Sequence, residues 1–207
     1  MKNKTNAMSV SEAIKTRRSI KYFDPEFRMP QEHVASLIEG AMLTPSAFNL
    51  QHWRFVNITD TSLREQIKKA SWGQPQMTDA SLLLLVCMDV QAWSRQPEAC
   101  WQHVSEVVRN KMLQNIRQVY ASSPELARDE AQRSCGLASM SIMLLAQELG
   151  YDSCAMDGFD FNTVAGLVNL PDGHEICMML AIGKQIKPPH PKGGILDVSD
   201  ILLENRF

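Results

Sequence analysis

Apolar and polar positions along the chain alternate between stretches of helical period and short runs of β-formers. Val34, Leu37, Ile38, Ala41 and Met42 follow the i, i+3, i+4, i+7, i+8 pattern of one buried helix face. That predicts a helix from near Pro30 which ends before Thr44-Pro45, because proline disfavours a helical residue ahead of it. Ser9-Val10-Ser11-Glu12 reads as a capping box opening a short helix to about Thr16. Arg17 to Phe23 follows as an extended segment, broken by Asp24-Pro25. Trp53 to Ile58 is rich in β-formers and predicts a strand. Ser62-Leu63-Arg64-Glu65 reads as a second capping box for a helix to about Ala70, with Ser71 to Thr78 irregular. Leu82 to Met88 is apolar throughout and predicts a strand buried on both faces.

In the second half, Trp101, Val104, Val108, Met112, Ile116 and Val119 share helical spacing and predict one long amphipathic helix over about 99–120. Ser123-Pro124 offers an N-cap and a proline at the first helical position. The helix behind it runs to Leu149, with Gly150 as a left-handed stop. Its middle, Ser134 to Ala146, is small and apolar on most sides, as in a helix buried in a core or an interface. Tyr151 to Met156 predicts a strand, Asp157 to Asp160 a turn, and Val164, Leu167 and Val168 a further helix. Ile176 to Ile182 predicts another buried strand. The tail, 184–207, is rich in Pro, Gly and Lys, with little regular structure until about Val198. Four or five strands among six or more helices in mixed order predict a single α+β domain over 1–207, with helices on both sides of the sheet.

Composition narrows the function classes. Of 207 residues, 44% are hydrophobic and 21% charged, which is ordinary for a globular protein. A net charge of -2 gives the whole molecule no electrostatic case for nucleic acid. Met1 to Ala7 is short and polar, without the apolar region of a secretory signal. Leu82 to Met88 is too short to cross a bilayer. The expectation is a cytoplasmic protein without a membrane partner. The five cysteines are odd in number and lack Cys-x-x-Cys spacing, so they read as buried free thiols in a reducing compartment. The chain carries no phosphate-loop motif, no G-x-G-x-x-G, no H-E-x-x-H and no G-x-S-x-G, and its five histidines lack metal-like spacing.

Four segments could hold a ligand, and each also has a bland reading. Arg17, Arg18, Ser19 and Lys21 place three cations and a hydroxyl within five residues. In extended chain, Arg17, Ser19 and Lys21 share a face, a row of donors suited to an anion; the same segment reads as a solvated basic turn. In Pro45-Ser46-Ala47-Phe48-Asn49-Leu50-Gln51, the Asn49 and Gln51 amides can read the edge of a heteroaromatic ring, or satisfy their own loop. Met156-Asp157-Gly158 ends a strand where glycine lets backbone approach a ligand closely; it also reads as a plain strand-to-helix turn capped by Asp160. Lys184, Lys187 and Lys192, with Gly193 and Gly194, form a basic tail that reaches a phosphate or is merely solvated.

In this order, the Arg-Arg-Ser-x-Lys segment, Pro45-Ser46 with Asn49, Gln51 and Trp53, the late Gly158-Phe159-Asp160 turn and Pro191-Lys192-Gly193-Gly194 resemble the nitroreductase family of FMN enzymes, over about Ser9 to Val198. The resemblance implies a nitroreductase-like mixed or antiparallel sheet flanked by helices, in an intertwined homodimer with FMN at the interface. It implies NADH or NADPH as electron donor, a small-molecule acceptor such as a nitroaromatic or quinone, and a ping-pong cycle with no catalytic side chain. Under it, Arg17, Arg18 and Ser19 hold the FMN phosphate and ribityl chain, Lys21 reaches the pyrimidine end, and Lys192 returns to the phosphate. Pro45, Ser46, Ala47, Asn49 and Gln51 come from the partner chain. Gln74 or Gln76 serves the pyrimidine carbonyls, and Met156, Asp157 and Gly158 lie along the ring. The chain departs from the family where an arginine commonly follows the tail lysine: Gly193 and Gly194 stand there, and Lys184 or Lys187 is left to substitute. His52 stands where relatives often have proline. The alternatives are other flavin chemistry, such as dehalogenation, and a non-catalytic flavin-binding or sensor dimer. Arg109, Lys111 and Arg117 are unranked candidates for a dinucleotide 2′-phosphate.

Overall fold

The computed structural model describes residues 8–207; the polar segment Met1–Ala7 lies outside them. Helix α1 (Val10–Thr16) opens on the expected capping box: the Ser9 side chain accepts from Glu12 N–H, and the Glu12 carboxylate accepts from Ser9 N–H. Its hydrogen bonds to Ser9 hold the Glu12 carboxyl below the usual carboxylate range. After α2 (Gln31–Met42) and a 3₁₀ turn over Ala47–Asn49 comes β1 (Trp53–Asn57). Next are α3 (Thr61–Ala70), α4 (Gln76–Asp79) and β2 (Leu82–Asp89). The remainder is α5 (Ala92–Arg95), α6 (Glu106–Tyr120), α7 (Pro124–Glu148), β3 (Asp152–Met156), α8 (Phe161–Leu167), β4 (His174–Gly183) and α9 (Val198–Ile201).

The four strands form one antiparallel sheet in the order β1-β2-β4-β3. At its β3 edge the basic segment adds a single parallel bridge, Ser19 to Ser153. Side-chain alternation along β2 splits the core in two. Leu82, Leu84, Val86 and Met88 face α2 and α7, among Leu37, Ala41, Cys135, Ala138 and Ile142. Leu83, Leu85 and Cys87 face the other side, among Ile67, Met77 and Val164 of α3, α4 and α8. Helices therefore cover both faces, and the α+β architecture stands as expected. Helix α7 ends in a Schellman motif: Gly150, at φ +74, lets Tyr151 N–H reach the Ala146 carbonyl at 2.8 Å while Gly150 N–H bonds Gln147.

Three local expectations are corrected. The predicted helix over 99–120 is interrupted. A 3₁₀ turn spans Pro97–Trp101, and α6 starts only after Ser105, whose hydroxyl accepts from Val108 N–H. Trp101 keeps helical phase but packs with Leu50 and Tyr120 in a small separate cluster. The cap of α3 is Asp60, which accepts from Leu63 N–H at 2.6 Å, so Ser62 lies inside the helix. The stretch 71–78, expected to be irregular, contains the start of α4. All five cysteines are free, and four are buried. Among the described residues, no helix is long and apolar enough to cross a membrane.

Candidate functional site

The basic segment leaves α1 with Ile20 pinned inward at 1% exposure and its N–H donating to the Ser153 carbonyl at 3.1 Å. Fixing Ile20 inward turns its neighbours outward. Arg17, Arg18, Ser19 and Lys21 line a cavity of about 360 Å³ with Ile14, His190, Lys192 and Gly193. The tail is drawn in by two contacts: the Arg18 guanidinium donates to the His190 carbonyl, and Lys192 Nζ donates to the Lys15 carbonyl at 2.7 Å. Four cations thus surround one hollow, with no carboxylate in its lining.

Lys184 does not replace the missing tail arginine. Its ammonium donates to the Gly150 carbonyl and sits 4.6 Å from the Tyr151 ring centroid. Lys187 lies 4.2 Å over the Tyr22 ring, in an adjoining hollow with Lys21 and His190. His190 was not singled out in the sequence; its place between Pro189 and Pro191 was the available signal.

The α3–α4 connection meets the turn after β3. Trp72 and Gly73 both take positive φ, +53 and +76, and this reversal aims Gln74 at the turn after β3. Gln74 Nε2 donates to the Gly158 carbonyl at 2.7 Å. A Cβ on Gly158 would stand 3.3 Å from the Trp72 indole and 3.4 Å from Gln74 Nε2, so the turn is packed to glycine's size. Met156 is buried and Asp157 exposed. Asp160 caps α8 through Thr163 N–H, which holds its carboxyl low. The capping reading of Asp160 is therefore met.

Gln76 is 0% exposed, and neither its amide nitrogen nor its oxygen has a hydrogen-bond partner among the described residues. Burial pushes the Cys154 thiol up, while Lys21, the Gln76 amide and Arg17 act in the other direction; a thiol is too weak a partner to satisfy the amide. A fully buried amide with neither atom paired costs several kcal/mol, on the order of 2 or more. Such a group in a native protein calls for a partner.

The 45–51 loop is held elsewhere in the chain. Phe48, Asn49 and Gln51 all take positive φ, at 50, 56 and 49, which is uncommon for residues other than glycine. The loop is held by Gln51 N–H donating to Ser46 Oγ at 3.0 Å, Asn49 Nδ2 donating to the Cys100 carbonyl at 3.1 Å, and Trp101 Nε1 donating to the Phe48 carbonyl at 3.0 Å. None of Pro45, Ser46, Ala47, Asn49 or Gln51 lines the basic cavity of its own chain.

The sequence profile of the nitroreductase family matches residues 14–184, most of the chain. The chain belongs to the nitroreductase family. Relatives of this nitroreductase-family protein include Protein DrgA of Synechocystis, 47% identical over 178 residues that span 86% of this chain and 85% of that one. MhqN of Bacillus subtilis, which carries the name of an NAD(P)H nitroreductase, is 35% identical over 83% of this chain and 86% of its own. A nitroreductase-type structure from Exiguobacterium sibiricum, solved in complex with FMN, superposes with a TM-score of 0.87 at 27% identity, covering 95% of this chain and 97% of that one.

Proposed function

We propose that this chain is an FMN-dependent oxidoreductase that uses NADH or NADPH to reduce nitroaromatics, quinones or similar electron-poor acceptors, and that it works as a homodimer. The observation that carries the reading is the hollow of four cations, supported by the unpaired Gln76 amide, whose neighbour Met77 shares a core cluster with Ile20 of the basic segment. A flavin pyrimidine edge presents carbonyl acceptors next to an N–H donor, the complement of a carboxamide. Arg17, Arg18, Ser19 and Lys192 would hold the phosphate and ribityl chain through charge-assisted hydrogen bonds. Lys21 would place positive charge at the pyrimidine end, a field that favours added negative charge there. Gln74 holds the Gly158 carbonyl, and Met156, Asp157 and Gly158 would lie along the flavin ring, where glycine allows close backbone approach. Bound FMN would supply the two-electron chemistry, accepting hydride from the dinucleotide and passing electrons to the acceptor. No side chain is assigned as a catalytic residue.

Dimerisation is supported by what one chain leaves uncovered. Strand β1 is a sheet edge, and Ile195, Leu196, Val198, Ile201 and Leu202 of the tail are each at least 65% exposed. An open strand edge and an apolar arm on one molecule suit a second copy. In that assembly Pro45, Ser46, Ala47, Asn49 and Gln51 of one protomer would cover the flavin of its partner.

Gln76→Leu tests the assignment. FMN affinity, read by quenching of flavin fluorescence, should fall about tenfold, while the melting temperature without FMN holds or rises, because an unpaired buried amide is replaced by an apolar group. Unchanged FMN affinity would remove Gln76 from the site.

A further inference from the structure

A cavity of about 560 Å³ lies between the 45–51 loop, the start of β1, α5 and the 97–102 turn. At its base is Asp89, the last residue of β2, with a side chain only 2% exposed. Its carboxylate accepts from Gln91 N–H at 3.0 Å, faces Arg54 Nη2 at 3.4 Å and Arg95 Nε at 3.3 Å, and has His174 Nε2 at 3.8 Å. Two guanidiniums share one carboxylate, which leaves an excess positive charge on the cavity wall.

Both guanidiniums are fixed before any ligand arrives. Arg54 Nη1 donates to the Gln51 and Trp53 carbonyls at 2.9 and 2.8 Å, and Arg95 Nη2 donates to the Asp172 carbonyl at 2.7 Å. Gly173, at φ +75, makes room for this: a Cβ there would stand 2.7 Å from Arg95 Nη2. Yet the Arg54 and Arg95 side chains stay 51% and 42% exposed, and they line the cavity with the amides of Gln51 and Gln96. Preset planar cations with a net charge and neighbouring amide donors recognise an oxyanion.

The loop bonds from Asn49 to Cys100 and from Trp101 to Phe48 tie this cavity to the segment proposed to cover the flavin, and Gln51 belongs to both. We infer that the cavity anchors the phosphate or carboxylate of a redox substrate. The identity of that substrate rests on the oxidoreductase reading, but the oxyanion site itself does not.

The test uses inorganic pyrophosphate, titrated calorimetrically into wild-type protein and Gln96→Glu with FMN in excess to fill the basic segment. Gln96→Glu adds one negative charge at constant size on an exposed residue. It should weaken pyrophosphate binding about tenfold, about 1.4 kcal/mol, with an unchanged melting temperature. The source of the anion follows from KM values in the same pair. A rise for NADPH but not NADH assigns a 2′-phosphate. An equal rise for both assigns the pyrophosphate of the dinucleotide. A rise for 4-nitrobenzoate but not nitrobenzene assigns an acceptor carboxylate. A protein that binds no FMN and oxidises no dinucleotide, yet loses a pyrophosphate site in Gln96→Glu, keeps the oxyanion site while the redox reading fails. Equal pyrophosphate binding by the two proteins, or none by the wild type, overturns the inference.

Discussion

Lowering the pH from 7 to 5 will destabilise this protein through His52. The ring is 2% exposed, and its Nδ1 lies 3.2 Å from Ser134 Oγ. That hydroxyl already donates to the Glu130 carbonyl at 2.7 Å, so it accepts from His52, and the neutral ring carries its proton on Nδ1. Burial depresses the pKa from 6.5 to about 4; Asp89 pulls upward and Arg54 downward, each less than burial does. Above pH 6.5 the ring is neutral in both folded and unfolded chains, and the full stability is present. As the pH falls below 6.5 the unfolded chain takes a proton that the native ring refuses, so stability is lost until the native pKa near 4 is reached. At 1.36 kcal/mol per pKa unit the loss is about 2 kcal/mol at pH 5. In a domain of this size that lowers Tm by about 4–8 °C. Thermal unfolding of the wild type and His52→Gln at pH 7 and pH 5 isolates the effect, because every other titrating group is common to both. The variant should lose less on acidification, and equal acid shifts in the two proteins would refute the reasoning.

Three further outcomes follow from packing and hydrogen bonding. Gly40→Ala puts a Cβ 2.2 Å from Leu145 Cδ1, where α2 crosses α7; the Leu145 tip must swing aside, and the gain of about 1 kcal/mol in helix propensity offsets that, so denaturant unfolding should change by less than about 1 kcal/mol, and a loss above about 3 kcal/mol would mean that Leu145 has no second rotamer there. Arg64 is buried and donates to the Ile58 carbonyl at 2.7 Å and to the Ala80 carbonyl. Arg64→Leu orphans both and should cost about 2–5 kcal/mol by the same measurement, whereas a loss under about 1 kcal/mol would mean that the carbonyls find other donors. Truncation after Gly194 should convert a dimer to a monomer in sedimentation velocity, and an unchanged mass would remove the tail from the interface.

Much of the fold was legible because its signals are local. The Ser9 capping box, the proline after α2, the Gly150 stop and the unbroken apolar run of β2 each act through neighbours in sequence. The break before α6 was missed because Trp101 keeps helical phase with Val104 and Val108, while a tertiary contact with the 45–51 loop decides its conformation. The site divides the same way. Arg17, Arg18, Ser19 and Lys21 sit together in sequence, and Lys192 was reachable through its motif. Gln74 and Gln76 were reachable only as a pair through the resemblance, and the buried, unpaired amide of Gln76 is what sets it apart. The Arg54–Asp89–Arg95–His174 group was invisible because it is assembled from four separate segments, around a carboxylate that closes a strand. Its register depends on the β2–β4 pairing, which no local pattern encodes.

The visible spectrum of the purified protein loaded with FMN, recorded anaerobically before and after NADH or NADPH, decides whether the chain is a flavin-dependent oxidoreductase. The flavin band should bleach on addition of the dinucleotide and return when a quinone or nitroaromatic is admitted. A protein that takes up no FMN, or holds FMN that neither dinucleotide bleaches, would contradict the proposed function.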